Sequence, residues 1–261
     1  MHKQLRKILA GVFALALAVS LAGPARAQMS EVKEKPPIYT YVADWSIPRA
    51  QWGDMAKNMT ADQATLQKAL SSGTIVAYGD DEALVHQSDG TTHDNWWSAM
   101  SMAGVLNVLD QFYKNGGATA PVLASATKHF DSIYVSRYYN WHSGSWKGVY
   151  THGSTYTLKP DAPNNAVETI SKSFLVPFFE KLLADGTLHE YEIDTQAIHT
   201  ESPSMFYLFY IASSAEALDK VNAALDQAIK SNPLSGPAFG SMVDFSGHRD
   251  DLRTPTPPTS N

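Results

Sequence analysis

The sequence predicts an α+β fold built from two tandem copies of one strand-helix-strand-strand-helix-strand unit. Three observations carry this prediction. The run Lys68-Ala69-Leu70-Ser71-Ser72-Gly73-Thr74 returns 113 positions later, without a gap, as Lys181-Leu182-Leu183-Ala184-Asp185-Gly186-Thr187, and the same offset matches Tyr78 with Tyr191, His86 with His199 and Val108 with Val221. Strand-type and helix-type segments follow one another in the same order in both copies. Finally, each copy closes on His-x-Asp-x-aliphatic, at His129 to Ile133 and at His248 to Leu252. A duplicated unit places its ligand space within or between the copies.

In the first copy, Ile38 to Ser46 has the β-branched and aromatic content of a strand. Arg49 to Ser72 sets Trp52, Met55, Met59, Leu66 and Leu70 at helical spacing, with an interruption near Thr60 that offers an N-cap, and Gly73 stops it. Thr74 to Gln87 and His93 to Met102 read as the arms of a hairpin about Asp89-Gly90. Val105, Val108, Leu109 and Phe112 form the stripe of a second helix that ends at Asn115-Gly116-Gly117, and Val122 to Ala126 is the last expected strand.

The second copy repeats the order as strand Tyr150 to Lys159, helix Ala166 to Ala184, hairpin Thr187 to Ala212, helix Ala215 to Lys230 and strand Ser241 to Ser246. Pro177 inside its first helix predicts a kink. The expected divisions are therefore a first repeat over 38–130, a linker over 131–149 whose aromatic, Gly/Ser-containing part runs from Ser136 to Gly148, a second repeat over 150–252 and a disordered Thr/Pro tail over 253–261.

Residues 1–27 read as an export signal, with Lys3, Arg6 and Lys7 ahead of an apolar stretch from Ile8 to Ala22 and then Ala25-Arg26-Ala27. This predicts a periplasmic or secreted protein with no membrane anchor after cleavage. Without that segment the chain keeps sixteen basic against 26 acidic side chains, a net of −10. Nucleic acid is excluded as a partner class, because its binding rests on cationic neutralisation of phosphates. With no cysteine, disulfides and thiolate metal sites are excluded too.

A two-residue turn at Asp89-Gly90 would set His86 opposite His93, Leu84 opposite Asn95 and Glu82 opposite Trp97. One face of that hairpin collects Tyr78, Asp80, Glu82, His86, His93, Asn95 and Trp97; the other collects Ile75, Ala77, Ala83, Val85, Trp96, Met100 and Met102. The apolar face is expected under the helices and the polar, aromatic one toward the interior. Candidate ligand-binding residues are thus Tyr78, Glu82, His86, His93, Asn95 and Trp97. His86 and His93 form either an acid/base pair or two ordinary histidines flanking a turn; as metal ligands they would need Glu82 or Asp80 as a third, and no metal is assigned. In the recurring motif, Asp131 either orients His129 for acid/base work or belongs to a short helix opened by Thr127, as Ser246 would open its counterpart.

The doubled βαββαβ order over roughly residues 38 to 252 resembles the ferredoxin-like dimeric α/β barrel superfamily in its fused form, where one chain supplies both halves. That resemblance implies a pseudo-dimeric α/β barrel, monomeric in this sense and open to further assembly. Superfamily members include cofactor-free small-molecule monooxygenases, haem-binding enzymes and small stress-responsive proteins, so it implies no single reaction. The favoured expectation is a binder of a small aromatic or apolar molecule. The alternatives are a cofactor-free or haem-dependent oxidoreductase, with His86 or His93 as base or axial ligand, and a non-catalytic structural module of the envelope.

Overall fold

The computed structural model describes residues 32–231 and 235–260; the expected export signal over 1–27 lies outside them. Nine strands form one antiparallel sheet: β1 (Ile38–Ser46), β2 (Ala77–Ala83), β3 (His93–Ala99), β4 (Lys128–Trp141), β5 (Gly144–Ser145), β6 (Tyr150–Leu158), β7 (Leu188–Gln196), β8 (Met205–Ala212) and β9 (Val243–Ser260). Their order is β2-β3-β1-β4-β7-β8-β6-β9, and β9 returns to pair with β2. Eight strands therefore close into a barrel, which removes the sheet edges, and β5 lies against β9 outside the ring.

Closure depends on two long strands. The first part of β4 pairs with β1 (Trp45 opposite His129) and its last part with β7 (Tyr139 opposite Glu192). Likewise β9 pairs with β6 through Arg253 opposite Thr151, then with β2 from Arg253 to Ser260. Each copy's final strand thus begins in its own half and finishes in the other.

This corrects three boundaries. Val122 to Ala126 is not a strand: Leu123–Ser125 is a 3-10 turn, and the strand follows it. Residues 131–141, expected in a linker, belong to β4. The tail over 253–260, expected to be disordered, is the strand that shuts the barrel. Thr/Pro composition misleads there because between Arg253 and Thr259 only one edge of β9 is paired, and proline's missing N–H and fixed φ are tolerated on such an edge.

Helices cover the outside. α1 (Trp52–Ser71) runs unbroken through Thr60, whose hydroxyl donates to the Ala56 carbonyl. α2 (Met102–Asn115) is capped by Ser101, which accepts from the Gly104 amide, and ends at Gly116 with φ +76°. In the second half α3 (Ala166–Ile170) continues through a π-helical turn (Ser171–Leu175) into α4 (Val176–Ala184), so the disturbance expected from Pro177 takes the form of a widened turn ahead of it. α5 (Ala215–Ser231) and α6 (Ser235–Met242) complete the set.

Apolar burial lies between helices and sheet. In the first half Tyr41, Leu66, Leu70, Tyr78, Trp97, Val105 and Val108 pack together, and in the second Leu175, Phe179, Leu182, Tyr191, Phe206 and Tyr210 do. The α2 contact is tight: a Cβ on Gly104 would stand 2.7 Å from the Thr74 carbonyl oxygen and 2.9 Å from the Ala99 methyl. Gly104→Ala is therefore expected to destabilise the fold by about 1–3 kcal/mol, read as a lower urea midpoint at unchanged m-value.

Candidate functional site

The β2–β3 hairpin decides which side chains face inward. Its observed register sets Glu82 opposite His93, Asp80 opposite Asn95 and Tyr78 opposite Trp97. His86 and His93 are consequently not cross-strand neighbours, which corrects the expected pairing. A turn does form at Gln87 to Gly90, but the ladder stops where the Ala83 amide donates to the Thr92 carbonyl: beyond it the Leu84 amide donates to the Leu252 carbonyl, and the Thr92 amide to the Trp45 carbonyl. Bonds to β9 and β1 win over a longer hairpin. The slip is an even number of residues, so each side chain keeps its face.

The two faces are interchanged relative to expectation. Tyr78 and Trp97 lie under the helices, while Trp96, Asp81, Asp94 and Ser98 line the barrel interior. Trp97 donates its indole N–H to the Val105 carbonyl at 3.1 Å, and Tyr78 its hydroxyl to Gln67 at 2.9 Å, both on helices. Large rings bury more apolar surface against α1 and α2 than the barrel interior offers.

Between this aromatic face and the helices is a cavity of about 390 Å³. Tyr41, Trp45, Asn95 and Trp97 form its floor, Leu66, Leu109 and Phe112 its roof, with Asp62 and His129 at the edges. Tyr41 stacks on Trp97 at 4.3 Å, and Phe112 lies 5.4 Å from the same indole. Asn95 donates to Asp80 at 2.5 Å; burial pushes Asp80 up to about 7 and Asp62 up to about 6.

The His-x-Asp motif sits on this wall. His129 lies flat on Trp45 at 3.6 Å, its Nδ1 is 3.0 Å from the Asp44 carbonyl oxygen, and its Nε2 is 3.4 Å from Asp131. Tyr41 donates its hydroxyl to the same Asp131 oxygen at 2.6 Å. The second copy repeats the device: His248 stacks on Tyr156, its Nδ1 meets the Thr155 carbonyl, its Nε2 meets Asp250, and Ser154 donates to that carboxylate. Neither motif opens a helix, because both lie on strands.

Of the residues expected to bind a ligand, Asn95 and Trp97 line the cavity, and Tyr78 belongs to the core beside it. Glu82 is half-exposed at the end of β2, 3.8 Å from His93. His86 is exposed on the loop and donates to the Ala83 carbonyl. His93 is 1 % exposed, with Nδ1 against the Thr92 hydroxyl, and burial, then the charge of Arg253, lower it to about 4. Both imidazoles meet the edge of Trp52, at 5.4 Å and 5.1 Å, away from the cavity.

Sequence reasoning missed the barrel interior, a second cavity of about 400 Å³. Glu190, Glu192 and Asp194 alternate along β7 with Tyr191 and Ile193, all buried. Asp44, Asp81 and Asp94 face them from β1, β2 and β3, with Arg253 from β9. The signal was the acid-apolar alternation, which in a closed barrel marks an inner face and not a solvated one. Burial, then mutual repulsion, raises Glu190 and Asp194, and burial raises Glu192 to about 7. Among the described residues, no three His, Asp or Glu side chains converge as a metal site.

No family model matches the chain, and no curated protein matches it. Solved structures do. A monooxygenase candidate from Lactobacillus acidophilus superposes with TM-score 0.63 at 10% identity, covering 87% of this chain and 97% of its own. An anthrone oxidase-like protein gives 0.55 at 11% identity, covering 87% and 94%. A chlorite dismutase candidate gives 0.51 at 10% identity, covering 84% and 95%. At such identities the likeness is one of fold.

Proposed function

We propose, from the premise that this chain has the dimeric α/β barrel fold with two ferredoxin-like halves fused in one polypeptide, that its first half binds a small planar aromatic molecule between sheet and helices. The observation that carries the reading is the cavity itself: about 390 Å³, walled by Tyr41, Trp45, Trp97 and Phe112, with Asn95, Asp62 and His129 as polar groups at its margin. Apolar walls with few polar groups suit a ligand held by stacking and oriented by one or two hydrogen bonds. The anthrone oxidase-like neighbour makes anthrone, a tricyclic aromatic ketone, a reasonable first probe.

Oxidation without a cofactor is the second reading, favoured by the run Tyr41, Asp131, His129. With Nδ1–H donated to the Asp44 carbonyl, Nε2 presents its lone pair to Asp131. The Asp44 carbonyl and Asp131 together fix the orientation of the His129 ring at the cavity edge, the arrangement in which an imidazole serves as general base toward a bound ligand. A methylene between aromatic rings that loses its proton in this way can then react with O2, giving a carbonyl and water.

Haem fits this cavity poorly. Among the described residues, His129 is the one histidine on the cavity, and both of its nitrogens already face oxygen atoms, while His86 and His93 lie elsewhere. No step is assigned to that group.

Titrating anthrone into the protein is expected to quench Trp45 and Trp97 fluorescence saturably, and Leu109→Trp, which fills the cavity, to weaken binding by roughly tenfold or more. His129→Gln should leave binding intact and, if oxidation occurs, slow oxygen uptake by roughly 10²–10⁴-fold. A panel of planar aromatics without any saturable quench would remove the proposal.

A further inference from the structure

The barrel interior is separate from the sheet-helix cavity and plays no part in the reading above. Six buried carboxyl groups, those of Asp44, Asp81, Asp94, Glu190, Glu192 and Asp194, face one buried cation, Arg253. The guanidinium is ion-paired on one side, at 2.6 Å from Asp94, 3.4 Å from Asp44 and 2.5 Å from Asp251. The carboxyl groups of β7 are left without it.

Asp194 is 1 % exposed and aimed into the cavity, yet neither of its oxygens receives a hydrogen bond in good geometry, nor does one oxygen of Glu190. Glu192 accepts a long hydrogen bond from the Thr40 hydroxyl, at 3.3 Å, and otherwise meets the neighbouring carboxyl groups of Glu190 and Asp194. Buried carboxylate oxygens without donors are unfavourable unless something supplies N–H groups or protons. The wall beside them is aromatic: Tyr134 stands 4.7 Å from Tyr207 and 5.7 Å from Phe209, and a Cβ on Gly153 would meet the Phe209 ring at 3.0 Å. Ring faces next to carboxylates suit a cation with an apolar body. A bare divalent ion suits them less, since no three ligating groups converge among the described residues.

We propose that the barrel interior is a second binding site, for a small organic cation with a primary ammonium group lodged beside the β7 carboxyl groups, Asp194 first among them, and its apolar body against Tyr207 and Phe209. The raised proton affinity of these groups supports the same picture, because the protons they retain are what an arriving ammonium replaces.

The test is calorimetric titration of the protein with 2-phenylethylamine, beside uncharged 3-phenylpropan-1-ol and magnesium chloride. The expected result is saturable binding of the amine alone, with a rise in Tm. The double variant Glu190→Gln with Asp194→Asn should fold, since near-isosteric amides replace buried carboxyl groups that make no ion pair, and should bind the amine at least about tenfold more weakly. It should keep the anthrone response of the first-half cavity, which makes failure at one site distinguishable from failure at the other. Absence of saturable amine binding, equal binding of the alcohol, unchanged affinity in the double variant, or binding of magnesium without the amine would each overturn the proposal.

Discussion

Arg253→Met is expected to lower the unfolding free energy at pH 7 by about 3–5 kcal/mol, among the largest effects available to a single substitution here. Arg253 is 8 % exposed, and among the described residues it is the only buried cation of the barrel wall. Its Nη1 reaches Asp94, its Nη2 reaches Asp44, Asp251 and the Thr91 hydroxyl, and its Nε donates to Asp251 at 2.7 Å. Methionine fills similar space but leaves these carboxylates in a low-dielectric interior with no counter-charge. Lysine, a point charge without the fork, should recover only part of the loss. Urea unfolding of the three proteins measures it. A loss below about 1 kcal/mol in the methionine variant would show that the carboxylates are neutral or hydrated in the folded protein, contrary to the ion-paired arrangement.

The second large effect is a fall in stability as pH rises from 5 to 8. Asp80 and Glu192 are held at about 7 by burial, above ordinary carboxylate values, so in this window the folded chain carries protons that the unfolded chain has already released. The stability contributed by these two groups is then highest at the acid end and is lost as pH climbs through about 7, by on the order of 1–3 kcal/mol each, while His93, lowered to about 4, works in the opposite sense below about 6.5. Asp62, at about 6 and partly open to water, adds less. Denaturation midpoints across that range give the profile, and Asp80→Asn combined with Glu192→Gln should flatten it. A profile that instead rises toward pH 8 would place the titrating groups in favourable ion pairs and reverse the argument.

What could be read from the sequence follows from what is local. The matched runs at Lys68 to Thr74 and Lys181 to Thr187 mark the same structural event twice, the end of a helix before the second strand of each half. Gly73 and Gly186, at φ +72° and +76°, are the left-handed residues that make it. Serine and glycine likewise set the ends of α2. Register and facing were not legible, because both are settled at long range. Leu84 pairs with Leu252 rather than with its hairpin partner, and the inner face of β2 and β3 is identified only once β9 has closed the ring. Polarity misled for a related reason: in a barrel covered by helices neither face meets bulk water, so Asp81 and Asp94 could be inside while Trp97 packed outside. Asn95 and Trp97 nonetheless share one face, as the hairpin reading had them, since an even slip does not move a side chain across the sheet.

The exchange of final strands also constrains how the molecule comes into being. β9 follows every other strand of the ring in chain order, and the edge it must cover belongs to β2, near the opposite end of the polypeptide. A nascent chain therefore carries an unpaired β2 edge throughout translation, a template for stray intermolecular pairing until the closing segment emerges. Thr-Pro sequence in that segment is a poor seed for such pairing by itself, which keeps the last piece of the ring from sticking to anything but its own partner.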